Sequence, residues 1–431
     1  MLIFNIGTLA GIVPPGVLRK AGAEMAETGV LRDAWLRIEH GRIAAFGGVP
    51  VRNDAQTGRN PLETAGSGPK PACNGPEPGP GDIDARGGMV LPAFCDSHTH
   101  IVYAGSRDGE FLDKIEGLSY EEIAARGGGI LNSADLLHRT GEDELFAQSM
   151  ARVREMMTKG TCALEIKSGY GLNPADELKM LRVIRRIRES VPASVKATFL
   201  GAHAVGRGYT HEAYVQAMVD MLPEAAELAD FVDVFCDEGF FTPADTEQIL
   251  SAAARYGLRP KIHANELAVS GGVEVGVRHD ALSVDHLERT TDAQIEALKG
   301  TETMPTMLPG SSFFLGLPYG RAKAFIAAGL PLALASDFNP GSSPSGDMRC
   351  VMALGCIRMR LTPVQAFNAV TLNGAYAMGI SDLTGSITVG KRADLILTQP
   401  GWDLTRIAYL YQTPFIRQVF AAGQPVILPA S

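Results

Sequence analysis

No two cysteines in this 431-residue chain stand in a C-x-x-C spacing. The six that exist, Cys73, Cys95, Cys162, Cys236, Cys350 and Cys356, are scattered, so neither a zinc ribbon nor a disulfide framework is indicated. Reduced thiols in a cytoplasm fit that pattern. There is no block of Lys and Arg and the formal net charge is −9, which argues against nucleic acid or an anionic membrane as a partner. No apolar run approaches the ~18 residues of a membrane span. The opening MLIFNIGTLAGIV lacks a basic flank and a cleavage site, and reads as a buried strand of a soluble protein. A serine-nucleophile elbow, G-x-S-x-G, is missing too, because KSGYG has a different spacing. The triple glycine at 127–129 lacks the G-x-x-x-x-G-K-[ST] of a phosphate loop and is read as a loop near the substrate.

What is present describes an ordinary globular enzyme or binding protein: 45% hydrophobic, 20% charged, with 48 glycines. The length leaves room for a barrel of ~250 residues plus a second domain. Near the start, AWLRIEHGRIAAFGG alternates like a hairpin turning at His40-Gly41. Residues 52–82 are rich in Gly and Pro with few large apolar groups, and are expected to form a mobile surface insertion. From Met89 onward, strand candidates MVLPAFCDS, CALEIKSG, VKATFLGAH, DFVDVFCDE, PKIHANE, ALSVDHLE and PLALASDFNPG alternate with helical patterns such as PADELKMLRVIRRIRESV and TPADTEQILSAAARYG. That alternation predicts a parallel sheet, open or closed into a barrel. The closing TGSITVGKRADLILTQ and IRQVFAAGQPVIL are again strand-like, so the two chain ends are expected to pair as a small sheet.

In strand after strand the apolar run ends in a group able to bind metal or move protons. His98 and His100 follow VLPAFCDS, His203 follows ATFLGA, His263 follows RPKI, His286 follows ALSVD, and Asp337 follows PLALAS. On a strand, His98 and His100 share one face with Thr99 behind them. A lone histidine at a strand end is more often a hydrogen-bonded structural residue, and Asp337 before Phe338-Asn339-Pro340-Gly341 could shape a turn. Repetition at the C-terminal strand ends of a barrel, where active sites assemble, points instead to one site. Two histidines on the first strand, one in the middle and an aspartate on the last would suit Zn²⁺ or Fe²⁺ with a position open for water. Glu266, three residues after His263, is near enough to take a proton from water that a bound ion acidifies from ~15.7 towards ~7.

These residues resemble the metal-dependent amidohydrolase superfamily, through HTH, HANE, DHLE, ASDFNPGSSP and GSITVGKRADLIL. Within it, AGSRDGEF, GLSYEEIAARGGGI, EIKSGYGL, GAHAV and DFNPGSS are similar to the branch that opens the ring of 4-imidazolone-5-propanoate in histidine degradation. The resemblance implies a TIM-like (β/α)8 barrel over 89–384 with a small β-sandwich domain from 1–88 and 385–431. It implies His98, His100, His263 and Asp337 as ligands of one Zn²⁺ or Fe²⁺/Fe³⁺ per chain, Glu266 as general base and acid, and His286 as a second catalytic group. Arg107, Tyr170, His203, Asn339, Gly341 and Ser342 fall at positions that hold the substrate, with Arg107 the partner of its carboxylate. A homodimer in the cytoplasm is implied, with no nucleic-acid or membrane partner.

The chain departs from the family pattern at Ala93, Cys95 and Ser97, at Ser342, in LNSADLLHRTGED, and in the insertion. Those differences touch packing and loop contacts more than metal binding. Lys167 could be read as the carboxylated bridge of two-metal members, but within EIKSGYGL a hydrogen-bonding role is favoured. Two other readings stand beside it: a different cyclic amidohydrolase or a nucleobase deaminase, which would share the metal, Glu266 and His286 but not Arg107 and Tyr170, and a catalytically dead barrel that binds a small acid, against which the complete set of acid/base residues speaks.

Overall fold

The computed structural model describes residues 1–51, 75–118, 122, 126 and 128–427. Most of the expected insertion, residues 52–74, and Gly127 of the triple glycine lie outside the described residues.

Two eight-stranded sheets organise the chain. In the first, Phe94–Asp96, Thr161–Lys167, Ser194–Ala202, Phe231–Cys236, Arg259–Ala264, Ser283–His286, Met304–Met307 and Ala333–Leu334 follow one another in sequence order, each parallel to the next. The ring closes just beyond the first and last strands. His100 N–H donates to Phe338 O at 2.9 Å and Asp337 N–H to His98 O at 3.0 Å. The expected (β/α)8 barrel is therefore present. Every residue of Thr161–Lys167 and of Phe231–Cys236 is buried, as parallel strands covered on both faces must be.

The helices between these strands carry start signals in the sequence. Asn173 caps Pro174–Ser190 by accepting from Asp176 N–H, with proline in the first turn, while Thr242 and Asp245 form a reciprocal capping box on Pro243–Ala254. Pro174–Ser190 turns Met180, Leu181, Val183, Ile184 and Ile187 inward, where they join the core shared with the strands.

The second sheet is built from the chain ends: Leu2–Ile12, Gly29–Glu39, Arg42–Pro50, Ile83–Asp84, Gly88–Pro92, Leu395–Pro400, Ile416–Ala421 and Gln424–Val426. Its own core includes Ile3, Ile6, Leu36, Ile43, Val90, Leu395 and Phe420. The hairpin turn falls at His40-Gly41, both at positive φ (49° and 75°), which is the two-residue turn that matches strand twist and that glycine favours. One strand differs from its expectation. MVLPAFCDS is divided, with Gly88–Pro92 in the chain-end sheet and Phe94–Asp96 in the barrel. Ala93 is the crossing point, because its N–H donates to Asp394 O at 2.9 Å and the next N–H, of Phe94, to Gly160 O at 2.9 Å. The expected boundary between 88 and 89 thus cuts a strand of the small sheet.

Candidate metal centre and active site

His98 and His100 project from one side of the closing segment while Thr99 turns away and donates its hydroxyl to Glu165 O at 2.6 Å. Across the barrel, His263 is the penultimate residue of its strand, in register with Asp285. The three rings converge through their Nε2 atoms: His98 to His100 at 3.2 Å, and His263 to His100 at 3.5 Å. Asp337 Oδ1 lies 3.6 Å from His98 Nε2 and 3.4 Å from His100 Nε2. The ligand atoms of His98, His100 and His263 all lie within 4.8 Å of one another, as do those of His98, His286 and Asp337.

These atoms suit a cation. Donors placed tetrahedrally at ~2.0–2.2 Å from an ion stand ~3.3–3.6 Å apart, the spacing seen here. The tautomer of His98 agrees. His98 Nδ1 is hydrogen-bonded to Asp285 Oδ2 at 2.6 Å, which holds a proton on Nδ1 and turns the Nε2 lone pair to the centre, and the Asp233 carboxylate stands 2.9 Å from His263 Nδ1 as an ion-pair contact on the corresponding side of that ring. Burial takes His98 well below the ordinary imidazole range, with Lys167 and the neighbouring rings adding to it. Burial also lowers His263, to about 4, against the pull of Asp233. Desolvation would raise Asp337, yet hydrogen bonding from His100 and the charge of His286 bring it down to about 2.

Beneath the rings lies a sealed layer of charge that the sequence reading passed over, except at Lys167. Glu165, Lys167, Asp233, Lys261 and Asp285 are 0–1% exposed. Lys167 donates to Glu165 Oε1 at 2.5 Å and to Asp233 Oδ2 at 2.8 Å, the hydrogen-bonding role expected of it. Lys261 pairs with Glu165 Oε2 and donates to Ser97 O and Ala377 O, both at 3.1 Å. The layer supports the converging rings, because its carboxylates of Asp233 and Asp285 are the ones beside His263 Nδ1 and His98 Nδ1. Charged residues at alternating positions within otherwise apolar strands, as in CALEIKSG, are the signal that marks it.

On the other side of the rings, His286 stands between two carboxylates, with Nδ1 3.6 Å from both Glu266 Oε2 and Glu288 Oε2. Burial raises Glu266 to about 7, opposed by His286 and reinforced by Glu288. Burial would lower His286, but Glu266 and Glu288 outweigh it and hold the ring near 10. Asp237, another residue not singled out from sequence, accepts from Glu266 N–H at 2.7 Å, Leu267 N–H at 3.0 Å and Ala268 N–H at 3.1 Å, and so fixes the turn that presents Glu266. Left-handed backbone clusters here: Asn265 (φ 58°), His286 (83°), Leu287 (69°) and Asp337 (54°). Such conformations cost about 1–3 kcal/mol each and persist where surrounding structure imposes them.

The remaining candidates surround this centre. His203 stacks on His100 with centroids 5.2 Å apart, and the Tyr170 ring lies 6.1 Å from that of His100. Arg107 Nε reaches both oxygens of Glu110 at 2.9 Å, and Glu110 also accepts from Gly129 N–H at 3.0 Å. A side chain on Gly341 would collide with the Arg107 guanidinium, so glycine lets that group approach the loop after the last strand. Asn339 Oδ1 accepts from Gly341 and Ser342 N–H, both at 2.8 Å, and its Nδ2 donates to Asp337 O at 2.7 Å. Ser342 Oγ donates to Asp337 Oδ2 at 3.2 Å. Asn339 and Ser342 therefore brace Asp337 as well as lining its loop.

A family model described as "Amidohydrolase family" matches residues 89–426. The imidazolonepropionase of Flavobacterium johnsoniae is 50% identical over 98% of this chain and 99% of its own length, and that of Christiangramia forsetii is 48% identical with the same coverage. In fold the chain is similar to 5-methylcytosine deaminase from Klebsiella pneumoniae, with a TM-score of 0.72, 14% identity, and 100% and 99% of the two chains covered. An adenosine deaminase from Xanthomonas campestris with bound zinc gives a TM-score of 0.69 at 17% identity, covering 99% of this chain and 92% of that one. At such identities these two likenesses concern fold alone. The chain belongs to the metal-dependent amidohydrolase family, among its imidazolonepropionases.

Proposed function

We propose that His98, His100, His263 and Asp337 hold one Zn²⁺ or iron ion per chain and that the protein hydrolyses the ring C–N bond of 4-imidazolone-5-propanoate to N-formimidoyl-L-glutamate. It is a hydrolase of carbon–nitrogen bonds in cyclic amides. The observation that supports this site most directly is the meeting of three Nε2 atoms and one carboxylate oxygen at ligand spacing beside the Glu266–His286–Glu288 cluster. A cation bound there supplies Lewis acidity, acidifying water and polarising the ring carbonyl.

The chain's own residues do the rest. Glu266 as carboxylate takes a proton from the attacking water as its oxygen bonds to the ring carbonyl carbon. His286, held charged between Glu266 and Glu288, donates a hydrogen bond to the carbonyl oxygen as negative charge develops on it. Glu266 then delivers its proton to the departing ring nitrogen, the C–N bond breaks, and the new acid loses its remaining proton to solvent. Arg107, Tyr170 and His203, with the Asn339, Gly341 and Ser342 loop, hold the substrate, and Arg107 receives its propanoate carboxylate.

The small-molecule substrate is handled by the barrel, the catalytic domain expected over 89–384 and beginning at Phe94, with the chain-end strands through Pro92 and from 385 to 431 as the small domain, in a cytoplasmic homodimer. Among the described residues no helix is long and apolar enough to cross a membrane. The test is turnover of the imidazolone beside hydantoins, guanine and cytosine, before and after chelation and metal return. Chelator-sensitive, metal-restored loss of imidazolone absorbance is expected; activity confined to a nucleobase would overturn the substrate.

A further inference from the structure

Glu177 sits in the first turn of Pro174–Ser190, fully buried, and backbone amides surround its carboxylate. Oε2 accepts from Gly169 N–H at 2.9 Å, while Oε1 accepts from Gly171 N–H at 2.7 Å and Leu172 N–H at 3.0 Å. Three donors on one side chain shape the whole turn after Thr161–Lys167. Gly169 and Leu172 are held at positive φ, 108° and 51°. A Cβ on Gly171 would collide with the Glu177 backbone nitrogen and stand 2.9 Å from its Oε1, and one on Gly169 would stand 2.9 Å from His203 Nδ1. The two glycines of KSGYGL are thus explained by the carboxylate on one side and an imidazole on the other.

The turn carries Tyr170, whose ring lies 5.6 Å from that of His203. Its carbonyl at Gly169 is 2.9 Å from His203 Nδ1. A carbonyl oxygen only accepts, so Nδ1 bears the proton. With its proton held on Nδ1 by that carbonyl, a neutral imidazole presents Nε2 as an acceptor.

We propose that Glu177 is a positioning residue for substrate recognition: by gathering residues 169–172 onto its carboxylate it places Tyr170 and locks His203 as the Nδ1–H tautomer, leaving Nε2 to accept from a ring N–H of the substrate. This rests on the reading of Tyr170 and His203 as substrate contacts. Glu177→Gln keeps the shape but sets an amide donor against a backbone N–H, and Gly171→Ala displaces the same turn from the other side.

The test uses full-length, zinc-loaded protein with ¹⁵N-labelled histidine. His203 Nδ1 gives a protonated-nitrogen signal in the parent protein, and in both variants the two ring nitrogens shift towards a tautomer average. KM for the imidazolone rises about tenfold while kcat stays within about threefold and zinc content is unchanged. An unchanged His203 signal with unchanged KM in either folded variant overturns the proposal. So does a fall in kcat and zinc content together, the mark of a merely structural role. Absence of imidazolone turnover by the parent protein would overturn the proposed substrate and leave the nitrogen signals to judge Glu177 alone.

Discussion

Two layers of the barrel interior are buried to nearly the same degree and bonded in opposite ways. In the lower layer, Glu165, Lys167, Asp233, Lys261 and Asp285 answer one another or the rings above, Lys167 at 2.5 and 2.8 Å from its carboxylates and Asp285 at 2.6 Å from His98. In the upper layer, Nε2 atoms face each other at 3.2 and 3.5 Å, and His286 Nδ1 and Glu288 Oε2 have no hydrogen-bond partner among the described residues. Buried polar groups are normally satisfied, so the difference separates the part of the core completed by the chain from the part that, on the function proposed above, a cation and a substrate would complete. The lower layer meets the upper through two carboxylates, and neither explains the site without the other.

The sharpest way to break that comparison is at Glu266. Glu266→Gln should keep the metal and the fold while kcat falls by about 10²–10⁴-fold, since a proton carrier alone is removed. Parent-like turnover in single-turnover kinetics would remove Glu266 from the reaction. Next comes the lower layer. Lys261→Met leaves Glu165 and Asp285 with one buried cation fewer, and denaturant titration should show a loss of about 3–5 kcal/mol, the usual penalty for orphaning a buried charge. A smaller, selective effect is expected at the rim: Arg107→Lys should raise KM about tenfold with little change in kcat, as a point charge replaces a planar fork. Equal binding by the parent of a substrate lacking the carboxylate would dismiss Arg107 as its partner.

The smallest effect contrasts two kinds of buried lysine. Lys167 would be lowered by burial but is raised by Asp233 and Glu165. Lys391, in the small sheet's approach, donates to Ser381 O, to Thr384 O at 3.3 Å and to Ser386 Oγ at 2.7 Å, and burial lowers it to about 8 from 10.5 despite Cys95 and Asp382. Between those two values the unfolded chain holds a proton that the folded chain has released, so stability attributable to Lys391 rises with pH across that window. Lys391→Met should flatten that rise in denaturant titrations at pH 8 and 10; the same slope in both proteins would deny it.

Much of the upper layer is legible in the sequence because strand periodicity puts His98 and His100 on one face and chain order puts the other polar groups at successive strand ends. Asp285 shows why the lower layer is less so. Beside His286 in DHLE it looks like part of one motif, yet its carboxylate bonds His98 from across the barrel, while His286, at φ 83°, turns to Glu266 and Glu288. Asp233, Lys261 and Glu177 are hidden for the same reason: their partners are set by barrel closure or by a turn, not by neighbours in sequence. The division of MVLPAFCDS at Ala93 is invisible because both pieces are apolar, and only hydrogen bonding to two different sheets tells them apart. The left-handed backbone at His286 and Leu287 carries none of the Gly or Asn signals that usually announce it.

The measurement closest to the central claim is equilibrium dialysis of chelator-stripped protein against Zn²⁺, for the parent, for His98→Ala with Asp337→Ala, and for Asp285→Asn. One ion per parent chain, none in the double variant and affinity about 10–100-fold weaker in Asp285→Asn would match an upper layer completed by metal and oriented from below. A parent protein that binds no ion, or binding indifferent to all three substitutions, would contradict it.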